Sequence, residues 1–508
     1  MDHFIEQYQG GPKSYKITMG ITRVDVIIKR GGLLDKHLDN FRRFGLSYGK
    51  QLTFRIFPQL EAKCYELLKS EPEKTRADAE MDVKVAFEKA YHQLNEMRRA
   101  ALYRYLDLNI SYLLDVLDKL VRFETVAPPG SNYNEIVDYL VPIFSSLGFD
   151  VEKVKIPPEV FHEKCSFKDL AGDRANLRAH LDTGAKETLV IYTHLDVVPP
   201  GSGWSTDPFR LEVDDEKVYG RGVSDSKGAV AALIAALRAI KKYRKFDYNL
   251  DVVLTTDEEV GGYSGLCYFA DSGFLNGNCM LCMDGYSDDL VIGSNGIITW
   301  EVTVHGKSAH SGTSFLGVNA IEKALTVIGA IFAHKRVVEA RRSALPASSA
   351  LEKIGVTHLM PVLNINIIEG GIKENIVPNR CVLRGDRGVI PEEEMEKAAI
   401  ELENVISNLD IDLDWRWWYG YPPMVVDPNH PWVGEVRRAV EMVRGRRPKL
   451  SGAQGSLDQA YAVKVTGIPT CVYGVGRQME SNAHGADENI RIDDLLSYAK
   501  FLATLVSS

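Results

Sequence analysis

Apolar residues along this chain change their spacing several times, and the changes divide it into four regions. Within residues 76–106, Val83, Phe87, Ala90, Leu94, Met97 and Ala101 recur at alternating intervals of four and three. That is the a/d seam of a long, highly charged helix. Three heptads leave two readings open: a helix packed on its own domain, or a helical hairpin or oligomer contact. Residues 1–106 are expected to form a largely helical extension, and none of the candidate chemistry lies in them.

From about residue 107 the pattern becomes α/β. Residues 110–123 read as an amphipathic helix stopped before Pro128, Pro129 and Gly130, and residues 134–147 as another ended by Gly148. Residues 188–193 (TLVIYT) are almost wholly apolar, as strands buried on both faces of a parallel sheet are. Residues 251–256 (DVVLTT) and 280–283 repeat that signature, with a helix over 229–243 as the crossover. Such alternation predicts an α/β sheet covered on both sides. Near residue 297 the period changes again. Residues 298–304 (ITWEVTV) alternate, helices are expected over 319–332 and 392–407, and strands over 362–368 and 381–386 lie between them. These elements suggest a small α+β insert over 297–412. The α/β pattern resumes near Trp432, with a late strand at 470–473, so residues 107–296 and 413–508 are expected to build one sheet.

Composition narrows the function. A chain of 508 residues, 45% hydrophobic and 25% charged, is an ordinary globular protein of roughly three domain-sized units at about 150 residues each. Its net charge of -9 and pI near 5.8 argue against a nucleic-acid partner. The amino terminus shows no secretory signal. The longest apolar run, beginning at Gly228, is interrupted by Arg238, far short of the roughly 20 residues a membrane span needs. Seven cysteines without regular spacing fit reduced thiols in the cytoplasm. Cys279 and Cys282 match C-x-x-C, but no second pair exists, and they read as small buried residues on the strand leading to Asp284.

Polar residues then carry the argument, because ligands of α/β sheets bind outside the carboxyl ends of the strands. TLVIYT runs into His194-Leu195-Asp196, DVVLTT into Asp257-Glu258-Glu259, and the strand near Met280 into Asp284. A glycine-rich loop, Gly220 to Gly228, carries Asp225 into a helix, and His484 comes after the last strand. Alone, a histidine after a strand or an acidic pair is usually structural or solvated; five such residues at strand ends are not. The loop matches neither G-x-G-x-x-G nor the P-loop, and Asp225 beside it would repel a phosphate. Two histidines with several carboxylates and no thiolates suit a hydrolytic pair of divalent cations. Asp225 can bridge ions that co-catalytic sites hold about 3.5–4 Å apart. His194 and Asp196, at i and i+2, share a side of an extended chain, so Asp196 can steady the imidazole. Glu258 and Glu259 point opposite ways if extended, one toward metal and one toward a proton of the attacking water.

Several segments together resemble one family. They are Thr193-His194-Leu195-Asp196-Val197-Val198-Pro199, Gly203-Trp204, Asp207-Pro208-Phe209, Gly220-Arg221-Gly222 with Asp225 and Lys227-Gly228, and Glu258-Glu259. The family is the metallopeptidases of aminoacylase, acetylornithine deacetylase, succinyl-diaminopimelate desuccinylase and carnosinase. The likeness runs from about residue 107 to the end. It implies a catalytic domain in two parts, a mixed sheet flanked by helices, with an inserted lid that also dimerises. It implies two divalent ions, zinc first and cobalt or manganese as alternatives. His194, Asp225 and Asp284 would hold one, and Asp225, Glu259 and His484 the other. Glu258 would be the general base, with Asp196 behind His194. Ser308-Ala309-His310-Ser311 is similar to the lid segment whose histidine reaches the partner's site to stabilise the oxyanion, which gives His310 that role. Asn375 is similar to a substrate-contacting asparagine. The family's non-proline cis bond would fall at Asp225-Ser226.

Two features depart from that pattern. Asp284 stands where deacylases commonly have glutamate and dipeptidases more often aspartate. Arg384-Gly385-Asp386-Arg387-Gly388 resembles a strand that commonly has, at Gly388, an arginine gripping the substrate carboxylate. Arg387 is one residue off, on the opposite face, and Arg477 is a possible substitute. The expectation is a cytoplasmic, homodimeric di-zinc hydrolase, dimerising through residues 297–412. It would cleave a short peptide or an N-acyl amino acid by metal-activated water. N-acyl amino acid deacylation is the alternative within this reading, and a non-catalytic scaffold the alternative outside it.

Overall fold

The computed structural model describes residues 95–507 except 165–169 and 244, together with three strands near the amino terminus. The chain falls into two compact units, one of residues 1–113, 233–247 and 502–508, the other of residues 114–232 and 248–501. In the first unit the strands Ile5–Tyr8, Ser14–Met19 and Thr22–Ile27 form an antiparallel sheet, which the periodicity does not predict. Residues 95–108 are helical, in agreement with the end of the expected helix. Of the seam, Val83, Phe87, Ala90 and Leu94 lie outside the described residues. Within them the buried stripe is Arg98, Leu102 and Leu106, while Met97 and Ala101 are half-buried. A step of one residue turns a helix by about 100°, enough to move the burial off the seam.

The second unit is built on a nine-stranded mixed sheet. Its order is Met424–Val425, Leu290–Ser294, Thr470–Val472, Cys279–Cys282, Thr188–His194, Asn249–Thr255, Ala175–Leu181 and Asp150–Lys155, with Leu450–Ala453 beside Leu290–Ser294. The four central strands from Thr470–Val472 to Asn249–Thr255 are parallel. Their side chains are shielded on both faces; on one of them Val190, Tyr192, Val253, Met280 and Cys282 pack with Leu266, Phe269, Ala460 and Ala462. This is why the sequence shows them as unbroken apolar runs. Cys279 and Cys282 are free and buried, as the strand reading requires. Register brings Cys282 opposite Tyr192, and His194 opposite Thr255. Strands Cys279–Cys282 and Thr470–Val472 end opposite Tyr192, two residues short of His194 and Thr255, and the segments beyond all four carboxyl ends emerge along one edge.

Helices Tyr133–Leu147, Pro431–Arg444 and Gln459–Thr466 belong to this unit, and Lys227–Tyr243 starts in it. Among the described residues no helix is long and apolar enough to cross a membrane. The insert is a four-stranded antiparallel sheet in the order Leu363–Gly370, Arg380–Val389, Gly296–His305, Leu413–Tyr419. Helices Ala320–Val338 and Met395–Ser407 pack on it around Trp300, Val302, Leu383 and Leu402. Its fourth strand corrects the expected boundary: the insert does not end at residue 412 but runs to Tyr419. Trp415 and Trp417 pack inward while Arg416 and Trp418 face out, an alternation masked in sequence by the run of aromatic residues.

Candidate metal centre

His194 closes its strand, Asp284 stands two residues beyond Cys282, and Glu258 and Glu259 lie three and four residues after Thr255. The loop before helix Lys227–Tyr243 brings Asp225 among them, and His484 comes from the segment after Thr470–Val472. The Asp225 carboxylate offers one oxygen to each imidazole: Oδ1 lies 2.9 Å from His194 Nε2 and Oδ2 3.1 Å from His484 Nε2. His484 Nε2 is also 3.1 Å from Glu259 Oε2, and His194 Nε2 is 3.9 Å from Asp284 Oδ1. All five residues expected from sequence thus come together. Ligand atoms of His194, Asp225 and Glu259 lie within 4.8 Å of one another, and so do those of His194, Glu258 and Asp284. The Asp225-Ser226 peptide is cis.

Two buried carboxylates hold the backbone of this site. Asp196 accepts from the backbone N–H of Glu258 and of Glu259, each at 3.2 Å. Its backbone carbonyl lies 3.0 Å from His194 Nδ1 and its carboxylate 3.5 Å away. Asp196 therefore lies against the imidazole through its carbonyl more closely than through the side chain that the i, i+2 spacing pointed to, and its carboxylate also aims the acidic pair. The pair itself departs from the extended conformation on which the sequence reading relied. Glu258–Val260 is a 3-10 turn entered through Asp257 at φ 68, and the turn alone separates the two carboxylates. Glu488 does for Asp225 what Asp196 does for the pair. It accepts from the N–H groups of Gly222, Ser224 and Asp225 at 2.8–3.0 Å and pairs with Arg221 Nη1 at 2.7 Å. Sequence reasoning missed Glu488; its one signal is a position four residues after His484.

The electrostatics fit divalent cations. Burial opposes a proton on His194, yet hydrogen bonds to Asp196, Asp225 and Asp284 hold its pKa well above the imidazole range. Asp225 and Glu259 push His484 up to about 10. Burial lifts Glu259 to about 7 against the bond from His484. Burial, helped by Asp284, Asp458 and Glu259 and opposed by His194, raises Glu258 well above the carboxylate range. Protonated imidazoles here offset a surplus of carboxylates, and Glu259 Oε1 is buried without a partner. Neutral imidazole nitrogen and carboxylate oxygen are the donors zinc accepts. A carboxylate with an oxygen toward each of two histidines is the donor a pair of ions would share.

A cleft of about 330 Å³ is lined by Asp225, Glu258, Glu259, Asp284 and His484, and also by Asp288, Gln454 and Gln478. No lysine or arginine is among its described lining residues. His310 and Asn375 are not in it. They share an exposed corner of the insert, where His310 bridges to Ile376, and its Nδ1 accepts from Gly312 N at 3.0 Å. The substrate-binding roles expected of Arg387 and Arg477 need correction. Arg387 is buried, with Nη2 2.8 Å from Glu393. Gly388 has no room for a side chain, since a Cβ there would come within 2.9 Å of Val362 Cγ2. Arg477 Nε is 2.6 Å from Asp494, and its Nη1 is 3.2 Å from Glu480. Both guanidinium charges are already neutralised within the chain.

Comparison with known proteins places this geometry. A sequence model described as Peptidase family M20/M25/M40 matches residues 190–508. An uncharacterized metallohydrolase of Methanocaldococcus jannaschii is 26% identical over 408 residues, 75% of this chain and 95% of its own. The N-formyl-4-amino-5-aminomethyl-2-methylpyrimidine deformylase of Bacillus subtilis is 25% identical over 443 residues, 78% of this chain and 94% of its own. Among solved structures, a metallo-carboxypeptidase of Sulfolobus solfataricus is similar in fold, with TM-score 0.63 and 20% identity over 77% of this chain and 98% of its own.

Proposed function

The chain belongs to peptidase family M20/M25/M40, and on that premise we propose that it hydrolyses the amide bond of a short peptide with the help of two divalent cations, zinc first. The observation that carries this reading is the Asp225 carboxylate turned to both His194 and His484. His194, Asp225 and Asp284 would hold one ion, and Asp225, Glu259 and His484 the other. When bound, the ions supply Lewis acidity at the scissile carbonyl and at the attacking water. Glu258 takes a proton from that water and returns it to the leaving amine nitrogen, and its raised affinity for a proton serves the first of these transfers. Asp196 keeps Glu258 in place through the backbone.

Hydrolysis of an N-acyl amino acid is the second reading. Asp284 favours a peptide, since dipeptidases more often have aspartate at its place; a short peptide and an N-acyl amino acid both carry a carboxylate, and no lysine or arginine among the described residues of the cleft waits for it in either reading. The full ligand and base set counts against a non-catalytic scaffold. We place the protein in the cytoplasm, since its described cysteines are free and buried. We also infer a homodimer through the insert, in which His310 of a second copy would donate to the developing oxyanion. The exposed Phe315, Leu325, Phe332 and Ile372 support that association.

Replacing Glu258 by alanine tests the assignment of the base. The variant is expected to keep its zinc by elemental analysis while hydrolysis of a dipeptide panel falls to background. Appreciable turnover in the zinc-loaded variant would remove Glu258 from that role.

A further inference from the structure

Behind the cleft, one arginine joins the two segments that bear the candidate machinery. Arg174 is buried, and its Nε lies 2.8 Å from Asp257 Oδ2, close enough for charge attraction though not aligned as a hydrogen bond. Asp257 is the residue immediately before Glu258. Its carboxylate also accepts from Tyr133 OH at 2.7 Å and from the Ser264 hydroxyl, and its carbonyl accepts from Gly262 N at 2.6 Å. Asp257 adopts φ 68, a left-handed conformation that an aspartate keeps only where its surroundings impose it. Two residues along from Arg174, Asn176 accepts from Thr256 N at 2.8 Å and donates to the Ser264 carbonyl at 3.0 Å.

The other end of the guanidinium faces the loop at 125–131. Nη2 donates to the Pro129 carbonyl at 2.7 Å and Nη1 to the Ala171 carbonyl at 2.8 Å. Gly130 makes room for it, since a Cβ there would come within 2.2 Å of Nη1. The same loop grips the segment after His194. Thr125 Oγ1 donates to the Leu195 carbonyl at 2.6 Å, Val197 N to the Thr125 carbonyl at 2.9 Å, and Ala127 N to the Val197 carbonyl at 2.9 Å. Between those contacts sits Asp196, whose carboxylate holds the N–H groups of Glu258 and Glu259.

We propose that Arg174, acting through Asp257 and Tyr133, is a positioning residue that fixes the turn of Glu258 and Glu259 against the segment His194-Leu195-Asp196. It touches neither substrate nor ion, and without it the buried Asp257 carboxylate at the entry of the strained turn would lose its countercharge. This inference rests on the assignment of Glu258 as base and Glu259 as ligand.

The test uses the full-length protein with Tyr133→Phe, which removes a single hydroxyl, and Arg174→Lys, which keeps a charge but loses the fork to Pro129 and Ala171. Zinc binding is measured by titration calorimetry, and kcat and KM on a dipeptide separately. Both variants are expected to bind the second zinc ion more weakly and to lower kcat about 10- to 100-fold, the range for residues that orient metal ligands, with KM little changed. Folded variants that differ from wild type only in melting temperature would overturn the inference and leave the metal centre standing. A wild-type protein that binds no zinc would instead overturn the reading beneath it.

Discussion

Glu488 shows how much of this centre is decided by single side chains that never face the cleft. It is fully buried, and its two oxygens gather the N–H groups of Gly222, Ser224 and Asp225 together with Arg221. Charge-assisted bonds of this kind are stronger than neutral ones, and here they brace the loop that carries Asp225. Glu488→Gln replaces an acceptor by a group that must also donate, with only donors around it. Zinc binding is expected to weaken about 10- to 100-fold in calorimetric titration; an unchanged dissociation constant would show that the loop does not depend on the charge. The imidazoles give a second expectation. His484 is raised to about 10 by Asp225 and Glu259, so near pH 7 it carries a proton in the metal-free protein, and a cation must displace it. Because the displaced proton is easier to lose at higher pH, zinc affinity should rise as pH increases toward 10. Calorimetry in two buffers of different ionisation enthalpy should register proton release near pH 7, and no release would contradict the assignment of His484 as a ligand. At this scale His194, Glu259 and Asp284 were legible in the sequence because each comes just after an apolar run, and Asp225 because a glycine-rich loop carries it into a helix, while His484 stood out only in their company. Glu488, Arg174 and Asp257 were not, since their work is done through partners distant in sequence, such as Arg221 and Tyr133.

Among the elements, the central strands were legible and the outer ones were not, and the reason is burial. Thr188–His194 and Asn249–Thr255 lie between neighbours in the sheet and under cover on both faces, so each contains an unbroken apolar run, residues 189–192 in one and 252–254 in the other. Asp150–Lys155 is an edge strand of largely exposed, charged residues, the kind of composition that protects an edge from further pairing, and nothing in its pattern announces a strand. The Glu258–Glu259 turn shows a different limit: spacing placed both carboxylates at the strand end, but only the backbone at Asp257 decides where each points. In the insert, Gly385 marks a close approach that sequence shows only as a glycine. A Cβ there would come within 1.8 Å of the Asn364 carbonyl oxygen and 2.4 Å of the Trp300 ring. Gly385→Ala should cost about 1–3 kcal/mol or more, as overpacking does, read as a lowered denaturation midpoint of the insert. Unchanged stability would mean that the pairing of Leu363–Gly370 with Arg380–Val389 adjusts freely.

For the whole molecule, the insert exposes several large apolar side chains. Leu325 is 65% and Phe332 53% exposed on one side of helix Ala320–Val338, and Phe315 is 81% exposed near His310. Leu325→Glu combined with Phe332→Glu is expected to halve the particle mass in analytical ultracentrifugation. If His310 serves a second copy, kcat falls with the mass while zinc content stays. A variant of unchanged mass and rate would exclude this face as the contact. The claim on which the rest depends is that Asp225 is shared by two cations in one cleft, and metal stoichiometry on the full chain tests it most directly. Zinc-loaded wild-type protein should hold close to two ions per chain, His484→Ala close to one, and Asp225→Ala none bound tightly. Two ions retained in Asp225→Ala, or none in the wild-type protein, would contradict the account.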